Sequence, residues 1–97
     1  MIDRQRDEVI RDILSTASQH SEGVGITKIM FHAYLTHSRA KAYLDDLVQK
    51  GLLSNNTTAL GRNFYHTTPK GFECLAALSD LTEMLRIESM RHAKSAF

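Results

Sequence analysis

Apolar positions recur with helical spacing over much of the chain. Ile10, Ile13, Leu14 and Ala17 fall at i, i+3, i+4 and i+7, with Val9 beside them, which predicts an amphipathic helix from about Arg4 to Gln19. Asp3 is its expected N-cap. The run His20-Ser21-Glu22-Gly23-Val24-Gly25 ends it, because glycine takes positive φ at little cost. Val24 to Ile26 leaves room for a token strand only. Thr27 is the expected cap of a second, short helix with Ile29, Met30 and Ala33 on its inner face. Thr36 is expected to cap a third helix that runs through Lys50. Ala40, Tyr43, Leu44 and Leu47 form its buried stripe, Val48 lies on the margin, and Gly51 stops it in the C′ position. The opposite side presents Ser38, Lys41, Ala42, Asp45 and Gln49, with His37 and Arg39 flanking it.

Beyond Gly51 the period changes. Leu52-Leu53 begins an extended segment that meets the polar stretch Ser54-Asn55-Asn56-Thr57-Thr58, and Gly61 marks a turn. Asn63-Phe64-Tyr65-His66-Thr67 is aromatic and β-branched, so a short hairpin around a polar tip is expected. Thr68-Pro69 pairs a capping hydroxyl with proline at the first helical position. The helix they start is expected to reach the low 90s, roughly 35 Å at 1.5 Å per residue. The order is helix, short strand, helix, helix, hairpin, long helix. This predicts a mainly α fold with a small β-hairpin (α+β): a winged helix-turn-helix over residues 1–71, followed by a long C-terminal helix over 72–97 in the same compact unit. The alternative is an unrelated small α+β domain, although fewer folds accommodate this order with connections this short.

Composition narrows the class. Ninety-seven residues at 42% hydrophobic make one core, too apolar for a disordered chain. One cysteine cannot close an intrachain disulfide, and neither an apolar run of membrane-spanning length nor a leader-like start is seen. A cytoplasmic protein without a membrane partner is expected. The net charge of +1 conceals an asymmetry: residues 24–71 carry six cations against Asp45 and Asp46, a balance of +4, plus His32, His37 and His66. The two ends of the chain are each close to neutral. A basic middle of this kind fits an anionic partner.

Ile26-Thr27-Lys28-Ile29-Met30, Ala33-x-Leu35-Thr36, Tyr43-Leu44-x-x-Leu47 and Lys50-Gly51-Leu52-Leu53 together resemble small archaeal winged-helix proteins. Tyr65-x-Thr67-Thr68-x-Lys70-Gly71-Phe72-x-x-Leu75 continues the resemblance in order, so that it covers about residues 7–85. Members of that family are predicted transcriptional regulators or abundant DNA-binding chromatin proteins, and the characterised ones dimerise through a C-terminal helix paired as an antiparallel coiled coil. The resemblance therefore implies DNA binding by a dimer, in transcription control or chromosome architecture, and a nucleoid-associated place in the cytoplasm. Two features depart from the pattern: Arg62 is the single basic residue of the loop between the hairpin strands, and the apolar spacing of the last helix holds only to about Leu85.

A winged helix puts its third helix into the major groove, N-terminal turns leading. Arg39 and Lys41 then meet phosphates or guanine edges, and His37 and Ser38 meet the backbone. Lys28 is expected to meet a phosphate together with the first turn of the second helix. Arg62 in the wing and Lys70 at the start of the last helix complete the expected contacts, while Asp45 and Asp46 repel phosphate. Gly71 permits a close approach. Tyr43, Phe64, Tyr65 and Phe72 are expected in the core. Cys74, Leu78, Leu81 and Leu85 are spaced 4, 3 and 4, a two-heptad seam that Met84 widens, and they form the expected dimer interface.

No cofactor, metal or small-molecule ligand is expected, since no cysteine pair, His-x₃-His spacing, nucleophile–base arrangement or phosphate-cradling glycine loop occurs. An enzyme is not expected. The alternative function is a protein-interaction module in a larger assembly, which the Asp45-Asp46 pair and the weakly charged wing favour.

Overall fold

The computed structural model describes residues 6–80. Helix α1 spans Arg6–Ser18, α2 Ile26–Ala33 and α3 His37–Gln49; strands β1 (Leu53–Thr57) and β2 (Asn63–Thr67) form an antiparallel hairpin. A fourth helix, α4, begins at Pro69 and continues to residue 80; its expected run to the low 90s lies outside the described residues, as does Asp3. In the hairpin, Leu53 faces Thr67 and Asn55 faces Tyr65.

The three N-terminal helices pack around one core, and the base of the hairpin closes it. Val9, Ile13, Leu14 and Ala17 of α1 meet Ile29 and Ala33 of α2, Ala40, Leu44 and Leu47 of α3, and Leu53 and Tyr65 of the hairpin. On α1 the buried face is rotated from the expected stripe: Val9 is fully buried and Ile10 only half-buried. The Thr16 hydroxyl, also buried, donates to the Asp12 carbonyl one turn back. Thr67 does likewise across the fold, its Oγ1 donating to the Leu14 carbonyl at 2.7 Å.

One expected start comes out differently. Val24 is pinned to Tyr65 by a reciprocal pair of backbone hydrogen bonds of 3.0 and 2.8 Å. The chain turns helical directly after this bridge, with Gly25 as N-cap at φ −81°, ψ 167°, so Thr27 falls inside the first turn and is not the cap. Thr36 does cap α3, accepting from the Arg39 N–H at 3.3 Å. Between α2 and α3 the chain reverses without glycine: Tyr34 itself takes the left-handed conformation (φ 57°, ψ 48°). For an L-residue this costs about 1 kcal/mol.

The stop of α3 and the start of α4 share one set of atoms. Gly51, at φ 77°, sends its N–H to the Val48 carbonyl while Leu52 N–H reaches Leu47, the paired bonds of a Schellman motif. The next carbonyls turn to α4: Lys50 accepts from Lys70 Nζ (3.1 Å), Gly51 from Thr68 Oγ1 (2.6 Å) and Leu52 from Thr68 N–H (3.1 Å). Thr68 Oγ1 also accepts from Gly71 N–H at 3.0 Å, capping α4 ahead of Pro69. A Cβ on Gly71 would collide with the Leu52 carbonyl oxygen and lie 2.8 Å from Thr67 Cγ2. Close packing is what this glycine provides.

Phe72 does not join the core as expected; it is half exposed. Phe64 and Tyr43 are half-buried, and of the four expected aromatics Tyr65 alone is fully inside. Cys74 and Leu75 cover the core edge from α4.

Candidate nucleic-acid interface

The exposed side of α3 matches expectation: Ser38, Lys41, Ala42, Asp45 and Gln49 all face solvent. Beside it runs an open groove of about 760 Å³ between α2, the N-terminal half of α3 and β2. Lys28, His37, Lys41 and Arg62, which stand up to 34 residues apart in the chain, all line it. Helix α2 supplies Lys28, the capped first turns of α3 supply His37 and Lys41, and the wing supplies Arg62.

The wing was expected to carry its polar stretch at the tip. Four of those five residues, Ser54 to Thr57, are instead the outer part of β1, because their backbones pair with β2 while their side chains stay largely in solvent. The tip is Thr58 to Arg62. It is closed by Thr58 N–H to Arg62 O (2.8 Å), Gly61 N–H to Thr58 O (2.9 Å) and Arg62 N–H to Thr58 Oγ1 (3.2 Å), with Gly61 at φ 79°. Arg62 thus leaves a hydrogen-bonded turn, so little backbone freedom is lost if it engages a ligand.

Two of the groove's cations, Lys41 and Lys28, already have local contacts. Lys41 Nζ donates to Asp45 at 3.1 Å, one turn on. That hydrogen bond and the carboxylate charge hold the Lys41 ammonium above the usual lysine range. Lys28 Nζ lies 2.9 Å from His20 Nε2, within hydrogen-bond distance. Asp46, expected to repel phosphate, is turned the other way: one oxygen accepts from both Arg6 (3.1 Å) and Lys50 (2.9 Å). Its charge is spent on the α1–α3 contact, where Arg6 also lies 5.9 Å above the Tyr43 ring.

Three expected residues stand apart from the groove. Arg39 lies on the other flank of α3, in a shallow recess with Arg6, Tyr43 and Asp46. Ser38 is exposed in the first turn between the two flanks. Lys70 sits at the far end of α3, its ammonium on the Lys50 carbonyl, roughly 20 Å from His37 along a 13-residue helix. Conversely, the groove holds Phe31, not picked out from the sequence, His32, noted there only as part of the basic middle, and Phe64, which was assigned to the core. Phe31 and His32 stand three and four places after Lys28, the spacing of one helix face, and that was the available signal.

The winged helix-turn-helix family profile matches residues 3–86. The chain belongs to this family. Among solved structures it is similar to Sso10a-2, a DNA-binding protein from Sulfolobus solfataricus, at 26% identity and a TM-score of 0.81, covering 96% of this chain and 94% of that one. BldR, a transcriptional regulator from Sulfolobus solfataricus, is 22% identical with a TM-score of 0.76, over 87% of this chain and 60% of BldR. MepR of Staphylococcus aureus in complex with DNA is 15% identical with a TM-score of 0.72, over 94% of this chain and 66% of MepR. The last two share the fold. No curated protein matches the chain by sequence. Among the described residues of this winged helix, no helix is long and apolar enough to cross a membrane, and no three histidine, cysteine or acidic side chains cluster as metal ligands.

Proposed function

We propose that this winged-helix protein binds double-stranded DNA without catalysing a reaction, as a transcriptional regulator or chromosome-architecture protein in the nucleoid. The observation that carries the reading is the convergence of Lys28, His37, Lys41 and Arg62 on one solvent-open groove beside the capped start of α3. With α3 in the major groove, these side chains flank one strand's phosphates while Arg39 meets the other from the opposite flank. Ser38, between them, faces the base edges. Lys70, at the far end of α3, contributes only through long-range attraction. The similarity to Sso10a-2, a DNA-binding protein, supports the same reading.

The working form in this proposal is a homodimer joined through the last helix. Cys74 and Leu78 are half-buried on α4, and their spacing continues through Leu81, Met84 and Leu85, which lie outside the described residues. Two copies of α3 on one duplex gain avidity with no new contact chemistry.

The test is a titration of labelled duplex at several salt concentrations. Log affinity should fall with log salt by a slope of about 0.9 for each phosphate neutralised. Replacing Arg39 and Lys41 by Glu should weaken binding across sequences and flatten that slope. Unchanged affinity in the double variant, or no binding at low salt, would overturn the reading. The alternative, a protein-interaction module, would show as lysate partners that survive nuclease treatment.

A further inference from the structure

The groove beside α3 carries aromatic surface as well as cations. Phe31 is 78% exposed on its α2 wall, with its ring edge-on to His32 at a centroid separation of 5.6 Å. Phe64 and His37 line the same groove, among Lys28, Lys41 and Arg62. A duplex offers a docking protein phosphates and base edges, while the faces of its bases are stacked inside the helix. A phenyl ring donates nothing to a phosphate and reads no polar edge. An unpaired strand is different: it offers a phosphate and an open base face at every nucleotide, which match a cation and a ring set side by side. The groove's volume of about 760 Å³ falls within the ~300–1,000 Å³ of sites that enclose small ligands, so a base with its sugar has room.

We propose that this groove also binds unpaired nucleotides of single-stranded DNA, with Phe31 as the stacking platform and Lys28, Lys41 and Arg62 holding the phosphates. This rests on the reading that the face binds nucleic acid, and adds a second mode of engagement to it. Lys41 exchanges Asp45, and Lys28 exchanges His20, for phosphate oxygens when a strand enters. The duplex and single-strand modes compete, because both use the same three cations. The protein would therefore hold locally opened DNA as well as paired DNA.

The experiment measures anisotropy of the full chain with a labelled oligo-dT and with a duplex of equal length, at one low salt concentration. A second oligo-dT carries a single 2-aminopurine, whose fluorescence reports stacking. Binding of oligo-dT with a change in 2-aminopurine emission is expected. Phe31→Ala should lower single-strand affinity by about tenfold, the order of one lost stacking contact, and leave duplex affinity within about threefold; Phe31→Tyr should restore it. Because Phe31 is exposed, an unchanged melting temperature confirms that the variants fold. Duplex binding without oligo-dT binding overturns this inference and leaves the duplex reading standing, whereas failure of both ligands overturns both. Oligo-dT binding indifferent to Phe31→Ala overturns the platform, and a tenfold preference for oligo-U over oligo-dT overturns the assignment to DNA.

Discussion

Gly71→Ala tests whether the wing base and α4 are held together by close approach. In an exposed helix position, replacing glycine by alanine gains about 0.8–1.0 kcal/mol from helix propensity. Here the added methyl meets the Leu52 carbonyl oxygen and approaches Thr67 Cγ2 to 2.8 Å, nearer than real Cβ contacts come. The oxygen cannot simply yield, because it accepts the Thr68 N–H at 3.1 Å. Overpacking of this kind costs about 1–3 kcal/mol, and weakening that hydrogen bond adds about 1 kcal/mol. Subtracting the propensity gain leaves a net destabilisation of about 2 kcal/mol, or a fall in melting temperature of about 8–15 °C for a domain of this size. Thermal and urea unfolding followed by circular dichroism measure it, with an unchanged urea m-value expected. A variant as stable as the parent, or more so, would refute the close-packing account, because it would show the propensity gain unopposed.

Three further outcomes are expected. Asp45→Asn frees Lys41 and removes a negative charge beside the groove, so duplex affinity should rise several-fold; in the parent, NMR titration should place the Lys41 ammonium above the ordinary lysine range, falling back toward it in the variant. The sign follows from linkage: the raised value means that this pairing favours the folded chain below the unfolded lysine pKa, and the effect is lost as pH climbs through the folded one. Thr68→Ala removes the α4 cap and the donor to Gly51, and should cost about 1–2 kcal/mol in urea unfolding. Leu81→Asp should shift a dimer toward monomer in light scattering at tens of micromolar and weaken DNA binding in parallel; a parent that is already monomeric there would sink the dimer.

Local rules located most of the fold. The Thr36 cap, the Gly51 stop, the buried Ala40-Leu44-Leu47 stripe and the Thr68-Pro69 start all follow from residues within one turn of each other. What local rules missed was set by partners far along the chain. Thr27 is an adequate cap, but the Val24–Tyr65 bridge 41 residues away starts the helix before it. Ser54 to Thr57 reads as loop by composition, yet pairing with β2 makes it strand. In the candidate interface, the i,i+4 contact of Lys41 with Asp45 was readable from spacing, whereas the capture of Asp46 by Arg6, 40 residues away, was not. Lys28, His37, Lys41 and Arg62 could be picked out singly, but their shared groove, and the separation of Lys70 from it, depend on how the elements pack.

The junction where α3 ends has a mechanical consequence. Three successive carbonyls, of Lys50, Gly51 and Leu52, are gripped by Thr68 and Lys70 of the following segment, and Gly71 lets that segment sit directly against the strand. These hydrogen bonds tie the end of α3 directly to the start of α4 across the base of the hairpin, so a twist applied to α4 should turn α3 with it. In a dimer joined through α4, the distance and angle between the two α3 copies would then be a fixed dimension, like the jaws of a caliper locked at one setting. Such a protein would tolerate few changes in the spacing of two half-sites: inserting two or three base pairs between them should cost it the avidity of the pair, where a flexibly tethered dimer would simply reach further.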